Sequence, residues 1–91
     1  MTIDLEQYDV EIDGKKIDLT PTEFRILHLL ASKKGRVQSR DQILSFLWGE
    51  EKYVIDRTID VHIRHLREKL GNAGAVIKNV RGLGYKIEEN G

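Results

Sequence analysis

Ile59, Ile63, Leu66 and Leu70 recur at helical spacing and form one seam, which must pack on other elements to leave water. Asp56 stands at the N-cap position, where its carboxylate can accept the free amides of the first turn. At about 100° per residue, the opposite face carries Arg57, Val61, Arg64, His65 and Glu68, with Arg67 on one flank and His62 on the other. Such a helix has the size and charge to lie in a DNA major groove, where Arg can make two hydrogen bonds to guanine and Val can meet a thymine methyl. The same face also reads as a solvated surface. Asp60 to Arg64 and Arg64 to Glu68 are both i,i+4 pairs, each worth about half a kcal/mol. The helix alone does not decide between the two.

With 91 residues the chain is expected to form one domain with a modest core and little room for an enclosed active site. Its formal net charge is zero, but the charge is unevenly placed. Residues 1–24 hold seven carboxylates against two lysines, a net of −5, whereas residues 57–86 hold seven Lys and Arg against two carboxylates, a net of +5. The positive end therefore falls on the amphipathic helix and the segment C-terminal to it, and the acidic end would discourage non-specific adhesion to a polyanion. Cysteine is absent, which excludes disulfides, thiolate metal sites and thiol nucleophiles. The apolar runs are too short to cross a membrane and no secretory pattern opens the chain, so a cytoplasmic protein with no membrane contact is expected.

From the N-terminus, Ile3 and Leu5, then Val10 and Ile12, alternate with acidic or polar neighbours, and Asp13-Gly14 precedes Lys16-Ile17-Asp18-Leu19. This pattern predicts a short strand and a hairpin turned at Asp-Gly, forming a small antiparallel sheet with a wet acidic face and an apolar face. A sheet this small must cover a helix to be stable. Thr20 is the expected N-cap of that helix, Pro21 its first residue, and Glu23 closes a capping box, with Leu19 and Phe24 placed as a hydrophobic staple. Residues 24–31 are apolar nearly all round, which marks the centre of the domain, and Lys33-Lys34-Gly35 suits a helix C-terminus.

Arg36-Val37-Gln38 reads as an extended link with one sheet residue pair. Ser39 and Gln42 form a second capping box and open a short helix with Ile43, Leu44 and Leu47 inward and Phe46 more exposed. Trp48-Gly49 ends it, and a loop over 50–55 leads to Asp56. Beyond Leu70 the chain turns at Gly71-Asn72-Ala73-Gly74; residues 75–80 and 85–87 are strand-like, joined by Arg81-Gly82-Leu83-Gly84. An Arg at such a hairpin tip can enter a narrow minor groove, or can simply keep the tip soluble.

Together these elements make an α+β winged helix-turn-helix with an N-terminal antiparallel sheet, three helices and a C-terminal β-hairpin wing. The expected bounds are strands about 2–19, helices about 21–34, 40–48 and 57–70, and a wing about 75–88, in a single domain 1–91.

The sequence resembles the C-terminal DNA-binding domain of the OmpR/PhoB family of two-component response regulators over nearly its whole length. The matching stretches are Leu19-Thr20-Pro21-Thr22-Glu23-Phe24 with Leu27 to Ala31, Ser39-Arg40 followed by Ile43 and Leu47-Trp48-Gly49, the run from Arg57 to Leu70, and Val80-Arg81-Gly82-Leu83-Gly84-Tyr85. The resemblance implies a major-groove helix bearing Arg57, Thr58, Val61, His62, Arg64, His65 and Arg67, and a wing contacting DNA through Asn79, Arg81 and Tyr85. It further implies a phosphate contact from Trp48, and a contact of Glu50, Glu51 and Lys52 with RNA polymerase or a neighbouring protomer. The expected partner is double-stranded DNA, bound at tandem half-sites.

This sequence departs from the family pattern in several places. His65 stands where relatives often carry Arg, which replaces a two-pronged guanine contact with a single, pH-sensitive one. Asn79 stands where Thr is common. About three N-terminal strands are expected where the family usually has four, and the phosphate-accepting receiver domain is absent from the sequence.

His62 and His65 are i,i+3, but no third ligand completes a metal site, so neither metal nor cofactor is expected. No nucleophile-base or paired-carboxylate arrangement stands out, and no enzyme is expected. Val61 also reads as an isolated surface apolar residue, and Trp48 as a plug at the end of the short helix. The expected function is sequence-specific DNA binding as the output domain of a transcriptional response regulator. Its rival is a winged-helix module for protein contacts, supported by the zero net charge.

Overall fold

The computed structural model describes residues 2–4, 6–7, 9–48 and 57–88, excluding the side chains of Trp48, Arg57 and Thr58. The expected Asp56 cap and the 50–55 loop, with Glu50, Glu51 and Lys52, lie outside the described residues. Three short strands open the chain: β1 (Thr2–Asp4), β2 (Asp9–Ile12) and β3 (Lys15–Ile17), antiparallel in that order. Ile12 faces Lys15 across a two-residue turn in which Asp13 and Gly14 have φ of 52° and 81°. Two positive φ angles define the turn whose twist matches that of the strands it joins, which is why Asp-Gly sits there. Ile3 and Ile17 flank Val10 in register, so one face of the sheet is apolar. Val10 is buried within the core, and Ile3, Ile12 and Ile17 pack against its edge.

Helix α1 (Pro21–Ser32) begins as the residues require. The Glu23 amide donates to Thr20 Oγ1 at 3.1 Å and the Thr20 amide donates to Glu23 Oε1 at 3.0 Å, a closed capping box. Phe24, Ile26, Leu27, Leu29 and Leu30 are buried, and α1 packs against both following helices. The helix stops at Ser32, short of the expected residue 34. Lys33 leaves helical geometry at φ −111° and ψ 39° while its amide still donates to Leu29 O. Gly35 then donates its amide to Ile87 O at 2.8 Å.

Helix α2 (Arg40–Trp48) opens with the second capping box, Gln42 N–H to Ser39 Oγ at 3.0 Å and Ser39 N–H to Gln42 Oε1 at 2.8 Å. Ile43, Leu44 and Leu47 point inward, whereas Phe46 is partly exposed beside Arg25 and His28. Helix α3 (Arg57–Leu70) buries Ile59, Ile63, Leu66 and Leu70. Each such side chain contributes about 1.5–3 kcal/mol as an upper bound, so this seam holds α3 far more firmly than any surface ion pair does.

The wing consists of β4 (Ile77–Val80) and β5 (Gly84–Ile87), paired from Ile77 with Ile87 to Val80 with Gly84. Ala75 and Val76, expected in the wing, belong instead to a 3-10 turn, Gly71–Val76. Gly74 packs so tightly on α3 that a Cβ there would lie 2.6 Å from Arg67 O, so the chain returns to β4 through a position that favours glycine. Gln38 and Tyr85 exchange both backbone hydrogen bonds, at 2.7 and 2.9 Å, which is the single sheet pair expected of the link. At Gly84, φ is 144° and a Cβ would come 2.1 Å from Gln38 O, so only glycine permits this approach. Sheet, three helices and wing thus form an α+β winged helix around one cluster of buried residues.

Candidate nucleic-acid interface

The face of α3 opposite its seam is open. Val61 is 50% exposed, Arg64, His65, Arg67 and Glu68 are exposed, and His62 is half-buried on the flank. Arg64 Nε lies 3.4 Å from Glu68 Oε1, with side chains 79% and 63% exposed. Solvent screens such a pair, so its contribution is small and the guanidinium stays available to another acceptor. Asp60 does not pair with Arg64 as the spacing allowed; its carboxylate turns toward α2 and β5 instead. Among the described residues, Arg67 and Arg81 have no ion-pair partner, and Arg81 is exposed at the tip between β4 and β5. Arg67 and Arg81 therefore keep their positive charge unneutralised by any ion pair among the described residues.

Between α3 and the wing lies a groove of about 560 Å³ whose lining includes Arg64, Arg67, Asn72 and Asn79. Asn79 is exposed on β4 opposite Tyr85. Two arginines of α3, the Asn72 amide of the turn and the Asn79 amide of the wing offer donors to a phosphate-bearing strand there, alongside the carboxylates of Asp60 and Glu68. Tyr85, expected as a wing contact, is only 4% exposed, and its hydroxyl donates to Asp60 Oδ1. The residue is mostly covered because β5 lies against α1 and the Gln38 backbone, and what remains of it lines the groove.

Arg40 belongs to a stretch that matches the family, but no role for it follows from the sequence. Its Nε donates to Asp60 Oδ1 at 2.9 Å, and its guanidinium carbon stands 5.4 Å from the Tyr85 ring centre. Burial, reinforced by the Asp60 hydrogen bond and charge, pushes the Tyr85 hydroxyl above the ordinary phenol range against the opposing pull of Arg40. The Asp60 hydrogen bond likewise raises Arg40. Lys69, in the last turn of α3, donates to Glu23 Oε1 at 2.7 Å and so belongs to the scaffold. Arg40 with Asp60 and Glu23 with Lys69 join residues distant along the chain, and no local spacing announces either pair. Trp48, Arg57 and Thr58 contribute positions on α2 and α3, but their side chains lie outside the described residues.

Among the described residues, no group of three or more His, Asp or Glu is placed to hold a metal ion, and no helix is long and apolar enough to cross a membrane.

The family described as transcriptional regulatory protein, C terminal, matches residues 14–87. The phosphate regulon transcriptional regulatory protein PhoB of Rhizobium meliloti is 46% identical over 88 residues, covering 94% of this chain and 39% of that protein. The chain thus spans about two fifths of the length of such relatives. Among solved structures, the DNA-binding domain of Klebsiella pneumoniae RstA in complex with the RstA box is similar at TM-score 0.82 and 36% identity, covering 94% of this chain and 88% of that one. The DNA-binding domain of the response regulator AdeR in complex with an intercistronic region is similar at TM-score 0.85 and 29% identity, covering 97% and 93%.

Proposed function

The chain belongs to the C-terminal effector domains of OmpR/PhoB-type response regulators, which bind DNA and are not catalysts, and from that membership we propose how its surface reads a duplex. Helix α3 enters the major groove with Val61, Arg64, His65 and Arg67 toward base edges, and Arg57, Thr58 and His62 toward the phosphates beside them. The wing carries Arg81 into the adjacent minor groove, and the strand between passes over the groove bordered by Arg67 and Asn79. Tyr85 acts from within, by holding the wing. The observation that carries this reading is a pair of exposed guanidinium groups, Arg67 beside the groove and Arg81 at the wing tip, neither with an ion-pair partner among the described residues. Phosphate contacts supply affinity and register, while base contacts supply sequence preference.

In a full-length regulator of this class a receiver domain would bring two such domains onto tandem half-sites in the cytoplasm. Trp48 would touch phosphate, and Glu50, Glu51 and Lys52 would meet RNA polymerase or the neighbouring copy. The test is binding to a duplex selected from a random pool and to its scrambled counterpart across a salt series. A strong preference with a log-log salt slope near −0.9 per phosphate contact is expected. Equal, weak binding to both duplexes at low salt would overturn sequence-specific readout.

A further inference from the structure

Asp60 sits on α3 between the buried Ile59 and the exposed Val61. One of its oxygens, Oδ1, receives both the Arg40 Nε hydrogen of α2 and the Tyr85 hydroxyl hydrogen of β5. Three elements therefore converge on a single atom. The Arg40 and Asp60 side chains are 31% and 39% exposed, so solvent only partly weakens the arrangement. Apolar packing holds these elements together without direction, because burial is indifferent to small rotations. Hydrogen bonds to a carboxylate are short and directional, so a tilt of β5 against α3 must break one.

We propose that Asp60 is a positioning residue which, through Arg40 and Tyr85, sets the wing at a fixed distance and angle from α3, so that the helix and Arg81 engage one duplex together. The proposal rests on the DNA reading above and adds a cooperative link between two contact sites. A wing already held in its bound position need not be ordered when DNA arrives, and the Arg81 contact is then fully realised. A wing released from Asp60 would lose part of that contact although Arg81 itself is unchanged.

Tyr85→Phe removes only the hydroxyl and keeps the buried ring. Arg81→Ala is introduced into wild type, into Tyr85→Phe and into Ile87→Val, the last loosening the β5 core without touching the network. Duplex affinity and thermal midpoint are measured for each background with and without Arg81→Ala. In the Tyr85→Phe background the fold-loss on Arg81→Ala should shrink by about threefold or more, while in Ile87→Val it should match wild type. Asp60→Asn, where it folds, should shrink that loss like Tyr85→Phe. An Arg81 penalty that is the same in Tyr85→Phe as in wild type would overturn the positioning role and leave DNA readout standing. An equal shrinkage in Ile87→Val would also overturn it, by showing that general loosening suffices. If Arg81→Ala costs nothing in wild type, the minor-groove reading and this proposal fall together.

Discussion

Lys69 Nζ lies 2.7 Å from Glu23 Oε1, joining the last turn of α3 to the first turn of α1 through a carboxylate that also closes a capping box. Glu23 is 2% exposed, so the same group caps the central helix and anchors the helix that bears the candidate contacts. Burial by itself would raise its pKa, but the Lys69 and Thr20 hydrogen bonds outweigh burial and hold it below the ordinary carboxylate range.

Stability should consequently depend on acid through Glu23. With its folded-state pKa depressed, the stabilisation is fully present above the unfolded value near about 4.3 and is lost as pH falls through the folded value. Thermal midpoints followed from pH 7 downward should fall more steeply for wild type than for Glu23→Gln, which keeps an acceptor for the cap but no charge. At neutral pH the variant should lose about 1–2 kcal/mol. Parallel curves would show that the carboxylate contributes nothing to acid sensitivity.

Arg81→Ala should reduce affinity chiefly on duplexes whose flanks are rich in A·T pairs, where the narrow minor groove concentrates negative potential. Titrations on two duplexes differing only in the flanks provide the comparison. Equal losses on both would remove Arg81 from the minor groove.

His65→Arg should sharpen the preference for guanine at one base position, since a guanidinium can bond to two guanine acceptors where an imidazole offers a single donor at a time. Selection from a randomised site measures this directly, and an unchanged profile would take His65 off the reading face.

Gly84→Ala should be the most damaging small substitution in the wing. Its Cβ would meet the Gln38 backbone at 2.1 Å and would have to adopt a φ of 144°. We expect a loss of about 3 kcal/mol or more in chemical denaturation, because backbone cannot yield as a side chain does. A loss within about half a kcal/mol, the scale of ordinary surface changes, would mean that the Gln38 segment moves freely.

Much of the fold was legible because its signals are local. Both capping boxes, the Asp-Gly hairpin and the α3 seam arise from residues close together in sequence, where side-chain chemistry and backbone periodicity act directly. The candidate site was legible where it depends on one helix face, as with Val61, Arg64, His65 and Arg67. It was not legible where tertiary approach decides the partner. Asp60 had an i,i+4 arginine at hand in Arg64, yet it faces Arg40 and Tyr85 because its position beside the seam turns it toward α2 and β5. The burial of Tyr85 was hidden for the same reason, since nothing in a five-residue window reveals that β5 is covered. Ala75 and Val76 are apolar and precede a true strand, yet they complete a 3-10 turn in which the chain returns closely against α3 at Gly74.

The Gln38 bridge also bears on how the protein avoids self-association. At Tyr85 the backbone of β5 is engaged on both sides, by β4 and by Gln38, so there it offers no unpaired strand edge to another molecule. Strand addition at the wing would have to occur along β4. That strand carries Lys78 and the exposed Asn79, and a lysine on an edge makes approach of a second, identical lysine-bearing edge unfavourable. The wing, tied to the domain along β5 and edged by a lysine on β4, thus gives little template for aggregation.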